Sequence, residues 1–447
     1  MNHARRLALL ASIASLGALH CSATGGNPGE ASGPAAGTES GSGGAGANGS
    51  GGSGAGISVG SGASGGIPEC DVEQKTSSGC DYYAVMPEIL FDAAGGCFAA
   101  FVVNPWDKDV HVTVEYEGMS LDASTFGYIP SGSGPSMQYT PLAGGVLPAG
   151  QIAILFLNRF GFSPLGLNTD CPAGITPAIT SFDAATHGTA IGAAFHISTT
   201  IPVVAYDIYP YGGGQSALTS ATLLLPTSSW GDNYIAVTSY GDGAGFGNIG
   251  SFPVVSVVAH QDGTEVTVNP TKDIVAGTGV AGTTANTPAT YTLDKGQVLQ
   301  FAQAAALDGS VIQANVPVGV WGGKTTLGIQ SCCDESSHQQ IPPIRALGSE
   351  YALVRYRNRY DGVEEAPPWR VIGAANGTTL TWQPSTPPGA PTALSLGQVA
   401  QFSAPGPYLV RSQDDQHPFY VAAHMTGAAE FDPEQNGSGG PADGRGD

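Results

Sequence analysis

Between residues 70 and 427 apolar and polar positions alternate with a period of two, in runs the length of single strands. The runs 110–116, Val-His-Val-Thr-Val-Glu-Tyr, and 264–269, Thr-Glu-Val-Thr-Val-Asn, put valine on one face and polar groups on the other. Glycine, proline, asparagine and aspartate gather between the runs, where the chain must turn. No stretch keeps the 3.6-residue apolar spacing of an amphipathic helix. The predicted fold class is all-β.

The pattern also repeats along the chain. Pro226 is followed eight positions later by Tyr234, and Pro343 by Tyr351, each opening an apolar strand. Next come two strands either side of a turn, 254–260 and 265–270 around Asp262-Gly263, then 369–373 and 379–384 around Asn376-Gly377. These dipeptides accept the positive φ of a type I′ turn, so each pair of strands is expected to form a hairpin. Gly296-Gln297 and Gly397-Gln398 open a further strand, and Pro317 and Pro418 open the last. An upstream copy with longer insertions has Tyr82, strands turning near Asp107-Lys108, Gly150-Gln151 and Ile201-Pro202. The expectation is three repeated five-stranded β units, over 70–215, 216–330 and 331–428, packed as a sandwich-like tandem. A propeller-like closed arrangement is the alternative.

The order of these motifs, together with Ile201-Pro202-Val203-Val204-Ala205-Tyr206, Leu223-Leu224-Leu225-Pro226, the run 262–268 and His338-Gln339-Gln340-Ile341-Pro342-Pro343, resembles the N-terminal domain of the IgGFc-binding protein family. The resemblance spans roughly 82–427. It implies an extracellular β domain with a binding or adhesion role, and it brings no catalytic residues with it. The family's name does not imply that this chain binds immunoglobulin.

Ahead of the β units, Arg5 and Arg6 precede an apolar run over 7–19 and then Cys21, the layout of a signal peptide. The run is too short to span a bilayer. Residues 1–20 are read as the signal peptide, Cys21 as the lipid-bearing residue, and 21–69 as a stalk of Gly, Ser and Ala that cannot bury enough apolar surface to order itself. Residues 429–447 read as a disordered tail. The expected location is the outer membrane or cell surface, anchored by the N-terminal lipid. Ordinary secretion is the alternative, because His20 is an unusual residue before a lipoprotein cleavage site.

Charge narrows the partners. The chain carries 15 Lys and Arg against 36 Asp and Glu, a net −21. Two of the basic residues lie in the signal peptide, so the remainder has 13 − 36 = −23. Nucleic acid is excluded as a partner, since binding it needs a basic face. With Cys21 set aside, Cys70, Cys80, Cys97, Cys171, Cys332 and Cys333 are candidates for disulfides in an oxidising compartment, with their pairing open.

Two clusters are candidate sites. Asp334, Glu335 and His338 offer two carboxylates and an imidazole within five residues, a donor set for a divalent cation or a recognition loop. The plainer reading, and the preferred one, is a solvated loop between units. No other cofactor is expected. Arg355, Arg357 and Arg359 alternate and would share one face of a strand, suited to an anion or an acidic glycan. Pairing with Asp361, Glu364 and Glu365 is the plainer reading there. Gly245-x-Gly247-x-x-Gly250 precedes a strand where a dinucleotide site needs a helix, and no nucleophile, base and acid fall at catalytic spacing. The expected function is non-enzymatic binding or adhesion, with loops of the β repeats presented to a glycan or protein ligand. An extracytoplasmic hydrolase or accessory module and a structural envelope component are the alternatives.

Overall fold

A computed structural model describes residue 70 and residues 76–89, 94–161, 169–212, 220–241, 251–329, 335–359 and 362–427. The predicted signal peptide, stalk and tail lie outside these residues, as do Cys21, Cys332, Cys333 and Asp334. The described chain is almost entirely β.

The first set of strands is β1 (Ser78–Ala84), β2 (Phe98–Val103), β3 (Val110–Tyr116), β4 (Met119–Leu121), β5 (Gly127–Ser131), β6 (Gln138–Pro141), β7 (Val146–Leu147), β8 (Ile152–Asn158), β9 (Ala190–Ala193) and β10 (Phe195–Tyr209). The second is β11 (Ser220–Leu224), β12 (Gly231–Ile235), β13 (Pro253–Ala259), β14 (Thr264–Asn269), β15 (Ala289–Leu293), β16 (Gln297–Ala302) and β17 (Val311–Leu327). The third is β18 (Glu335–Ile341), β19 (Glu350–Leu353), β20 (Pro368–Gly373), β21 (Thr378–Gln383), β22 (Ala393–Leu394), β23 (Val399–Ser403), β24 (Tyr408–Ser412) and β25 (Phe419–Ala423). One helical turn, Ala123–Phe126, is capped by the Asp122 carboxylate.

The strands flanking each predicted turn do not form hairpins. β13 and β14 both run antiparallel to β17, β13 against residues 318–324 and β14 against residues 311–314. They are successive partners of one long strand, and β2 and β3 stand in the same relation to β10. Asp-Gly and Asn-Gly therefore mark corners at which the chain passes from one layer to the other. Gly263 and Gly377 take positive φ there, as the turn signal requires. The acidic or amide side chain has a second use: Asp262 and Asn376 accept hydrogen bonds from the backbone N–H of Lys295 and Leu396, just before the Gly-Gln pairs.

Each long strand thus serves two layers. The first half of β10 pairs with β1 and β3, its second half with β2 and β11. The first half of β17 pairs with β12 and β14, its second half with β13 and β18. In the third set the long strand is broken before Pro418, so β24 pairs with β19 and β21, and β25 with β20. Two separate sheets result, β19-β24-β21-β22 and β23-β20-β25. Trp369, Val371, Leu380, Trp382, Phe402 and Val410 close one core between them.

Two strands cross from one set to the sheet of the preceding one. β11 adds to β10, and β18 adds to β17. Each is followed by a proline and then by a Gly-x-x-Tyr segment of its own set, Gly231 with Tyr234 and Gly348 with Tyr351. In those segments the glycine N–H donates to the tyrosine hydroxyl, at 3.0 Å and 2.7 Å. The Tyr234 hydroxyl in turn donates to the Val318 carbonyl at 2.6 Å. Gly79 and Tyr82 repeat the arrangement in the first set, with the Tyr82 hydroxyl donating to the Val203 carbonyl. Pro226 packs so closely on Gly79 that a Cβ there would lie 2.4 Å from the proline ring, and Pro343 packs on Gly231 with the corresponding distance 2.6 Å.

Candidate binding surface

The first and second sets meet over a band of ionisable and aromatic groups. His196 on β10 lies between Asp81 on β1 and Glu115 on β3, with one ring nitrogen toward each carboxylate, Nδ1 to Glu115 at 3.0 Å. Only a doubly protonated ring satisfies both acceptors. Burial by itself would lower the His196 pKa, but the Asp81 and Glu115 carboxylates raise it overall. The pair responds in kind: Asp81, despite its burial, and Glu115 are held below the usual carboxylate range by the imidazolium. Thr227 donates to Asp81 at 3.0 Å, and Lys295 of the second set reaches Glu115 at 3.3 Å. Tyr83 stacks on the His196 ring at 4.7 Å and leans on Trp230.

Beyond Glu115 the chain turns at Glu117 and forms one wall of a shallow cavity of about 350 Å³. Tyr116, Phe182, Asp183, Thr186 and His187 line it. His187 sits between Asp183 at 3.0 Å and Glu88 at 3.5 Å, which raise its pKa to about 10. Glu88 is itself buried and accepts from the Gly188 N–H and the Gln300 amide, tying this loop to β16. Phe182 presents a partly exposed ring beside the buried Tyr116, at 5.9 Å. An aromatic surface rimmed by Glu117, Asp183 and an imidazolium can stack a ring and accept hydrogen bonds from hydroxyl or amide donors. Nothing in the local sequence marked this groove, because its groups come from β3, from the loop before β9 and from the segment after β1.

The clusters read from the sequence fall elsewhere. Glu335 and His338 both lie on β18, an odd number of residues apart, so their side chains leave opposite faces. His338 points into the core, and burial lowers its pKa to about 4. Among the described residues no group of three His, Cys, Asp or Glu side chains is placed to hold a metal. Arg355, Arg357 and Arg359 follow β19, which ends at Leu353, and do not share a strand face. Arg359 is buried and paired with Glu365 at 3.0 Å, its guanidinium also donating to Thr426. Arg355 holds Asn358 and the Glu365 carbonyl and lies 3.5 Å from Glu364. Arg357 is the exposed member.

Cys70 bonds Cys80, and Cys97 bonds Cys171. The first bond ties the start of the described chain to β1; the second ties β2 to the loop beyond β8. Bonds of this kind form and persist in oxidising compartments. The second and third sets share one order of corner, Gly-Gln turn, and strand serving two layers, continuous as β17 in the second and broken into β24 and β25 in the third.

Residues 220–442 match the family model of the IgGFc binding protein. The matched region thus opens on β11, the strand that crosses to the first set. The resemblance read over 82–427 is carried by the second and third sets, and the first set lies outside the matched residues. No curated protein and no solved structure matches the chain. Together the family and the two disulfides point to an exported protein with an extracellular binding role. Among the described residues no helix is long and apolar enough to cross a membrane.

Proposed function

We propose that this chain is a cell-surface binding protein, held to its membrane by lipid on Cys21, that presents a tandem of three β units to a glycan or protein ligand. The observation that carries this reading is the match of an extracellular binding family to the strands that share one pairing plan. The groove between β3 and β9 is where the ligand sits, with Phe182 stacking on it and Glu117 and Asp183 accepting its hydroxyl or amide protons. The role needs neither a cofactor nor a chemical step.

The test is retention of the purified chain on glycan and surface-protein arrays, followed by the same measurement on Phe182→Ala. Retention that drops about tenfold in the variant, a loss of about 1.4 kcal/mol, supports the groove. Retention on no array would end the binding role, and retention untouched by the variant would move the site elsewhere. Mass spectrometry of the mature N-terminus tests the anchor separately: a lipid adduct on Cys21 is the expected result, and an unmodified N-terminus at another residue removes it.

A further inference from the structure

We infer that the outer edge of β25, with Gly348 beside it, is a docking site for an extended strand of a partner protein that carries an apolar residue two positions before a proline. The inference goes beyond the groove and concerns a separate surface.

The molecule itself shows twice what such an edge takes. On β10 the outer neighbour of residues 205–209 is β11, with Leu224 opposite Ala205 and Pro226 packed on Gly79. On β17 the outer neighbour is β18, with Ile341 opposite Val320 and Pro343 packed on Gly231. The incoming strand is antiparallel both times, and its proline stands two residues past its last paired position. Gly79 lies opposite Val203 and Gly231 opposite Val318, so the proline seat and the strand edge adjoin.

The third set repeats the receiving half of this junction. The Gly348 N–H donates to the Tyr351 hydroxyl, and the Gly348 carbonyl accepts from the Phe419 N–H at 3.3 Å, which brings the glycine to the start of β25. Among the described residues β25 pairs with β20 alone, and its sheet has three strands where its companion has four. A Cβ on Gly348 would find its nearest neighbours at 3.5 Å, all within its own set, so no proline among the described residues fills the seat. Tyr420, Val421 and Ala422 are partly exposed along the edge. A second copy has no strand of this type to spare among its described residues: β11 and β18 are already paired, and five positions ahead of Gly79 stands Gln74 where the other sets have proline. The occupant is an external strand of the kind that β11 and β18 supply at the two equivalent edges, bound by backbone pairing along the edge and selected by its proline.

The experiment uses the whole exported chain and a fluorescent peptide copying residues 219–230, which contain Leu224 and Pro226. Fluorescence anisotropy should show saturable binding. The affinity should weaken at least about tenfold when the peptide proline is replaced by alanine, and again in the protein variant Gly348→Val, whose side chain occupies the seat. The peptide substitution leaves the protein unaltered, so a folding defect in Gly348→Val would not hide the answer. Absence of binding, or binding indifferent to both changes, overturns the inference. Concentration-dependent self-association abolished by Gly348→Val would assign the edge to a second copy instead. Peptide binding that emerges only in Phe431→Asp would assign it to the chain's own Phe431-x-Pro433, and either outcome rejects the external strand.

Discussion

At the scale of the residue, three glycines with the same hydrogen bond to a tyrosine differ in what lies over them, and this difference is measurable. None of Gly79, Gly231 and Gly348 takes positive φ, so alanine meets no backbone strain at any of them. At Gly231 a new Cβ would stand 2.6 Å from the Pro343 ring, and the two chains must separate. Gly231→Ala should cost about 1–3 kcal/mol in denaturant unfolding, the usual range for overpacking a tight contact. Gly348→Ala should fall within about 0.5 kcal/mol of the parent, or gain slightly through a less flexible unfolded chain. Equal losses at both positions would mean that the proline contact is not what constrains Gly231. His196 presents the opposite case, a side chain fixed by charge. Its folded pKa is raised, so its contribution to stability is fully present below its unfolded pKa of about 6.5 and fades as pH rises through the folded value. His196→Gln should therefore destabilise most at acidic to neutral pH, and the difference from the parent in thermal unfolding should shrink on the alkaline side.

At the scale of the element, buried charge pins the third set to the second. Arg370 on β20 donates to Asp308 at 2.6 Å and to the Thr238 carbonyl at 2.8 Å, and Asp308 also accepts from the Thr238 N–H. Both charged side chains are buried, so removing one leaves the other without compensation. Arg370→Ala should cost about 3–5 kcal/mol by chemical denaturation, whereas Arg370→Met with Asp308→Leu should recover most of it. A double variant as unstable as the single one would show that shape, not charge, holds the contact. The strands and corners of this region were legible in the sequence, since alternation and Asp-Gly or Asn-Gly report local backbone preference. Gly-Gln was legible for the same reason: Gly296 and Gly397 take positive φ, and the glutamine oxygen accepts from the backbone three residues earlier, at Asp294 and Ser395. Partners were not legible. Period-two alternation gives each strand two faces but does not name the strand beside it, so β13 and β14 read as a hairpin although both pair with β17. For the arginines the plainer reading, pairing with Glu364 and Glu365, is the one the structure shows, and the shared strand face is not, because spacing in an extended segment cannot show that Arg359 turns inward to Glu365. The groove was hidden for the same reason, being assembled from distant segments.

At the scale of the whole molecule, two neutral histidines lie where the sets join, His338 buried and His424 partly buried, and they make the assembly sensitive to acid. His338 lies at a threefold meeting point: it belongs to β18, its ring has a backbone hydrogen bond with Val85 of the first set, and its carbonyl accepts from Thr222 on β11. His424 packs against Tyr240 of the second set, near Arg370 and Asp308. Burial lowers both to about 4 from an ordinary 6.5, with Arg370 adding to the effect at His424. A folded pKa below the unfolded one means that the unfolded chain takes up protons first, so stability present above pH 6.5 is lost as pH falls toward 4. Each histidine should contribute a loss on the order of 1–3 kcal/mol across that window. Asp207 acts against them. It is fully buried on β10, and desolvation raises its pKa well above 3.8, with Thr222 as its hydrogen-bond partner. With its pKa raised, the folded state binds this proton more readily than the unfolded state, so acidification from neutral pH makes this residue less unfavourable. Melting temperature should therefore fall between pH 6.5 and 4.5, fall less in His338→Gln, and fall more steeply in Asp207→Asn, which should also be the more stable protein at pH 7. The carboxylates Asp81 and Glu115 do not confuse the measurement, because their lowered pKa values confine their own losses to pH values below about 4.5. A parent melting temperature that is flat from pH 6.5 to 4.5, with both variants equally flat, would mean that the junctions open to water before these groups titrate, and that the three sets are not held as one acid-sensitive body.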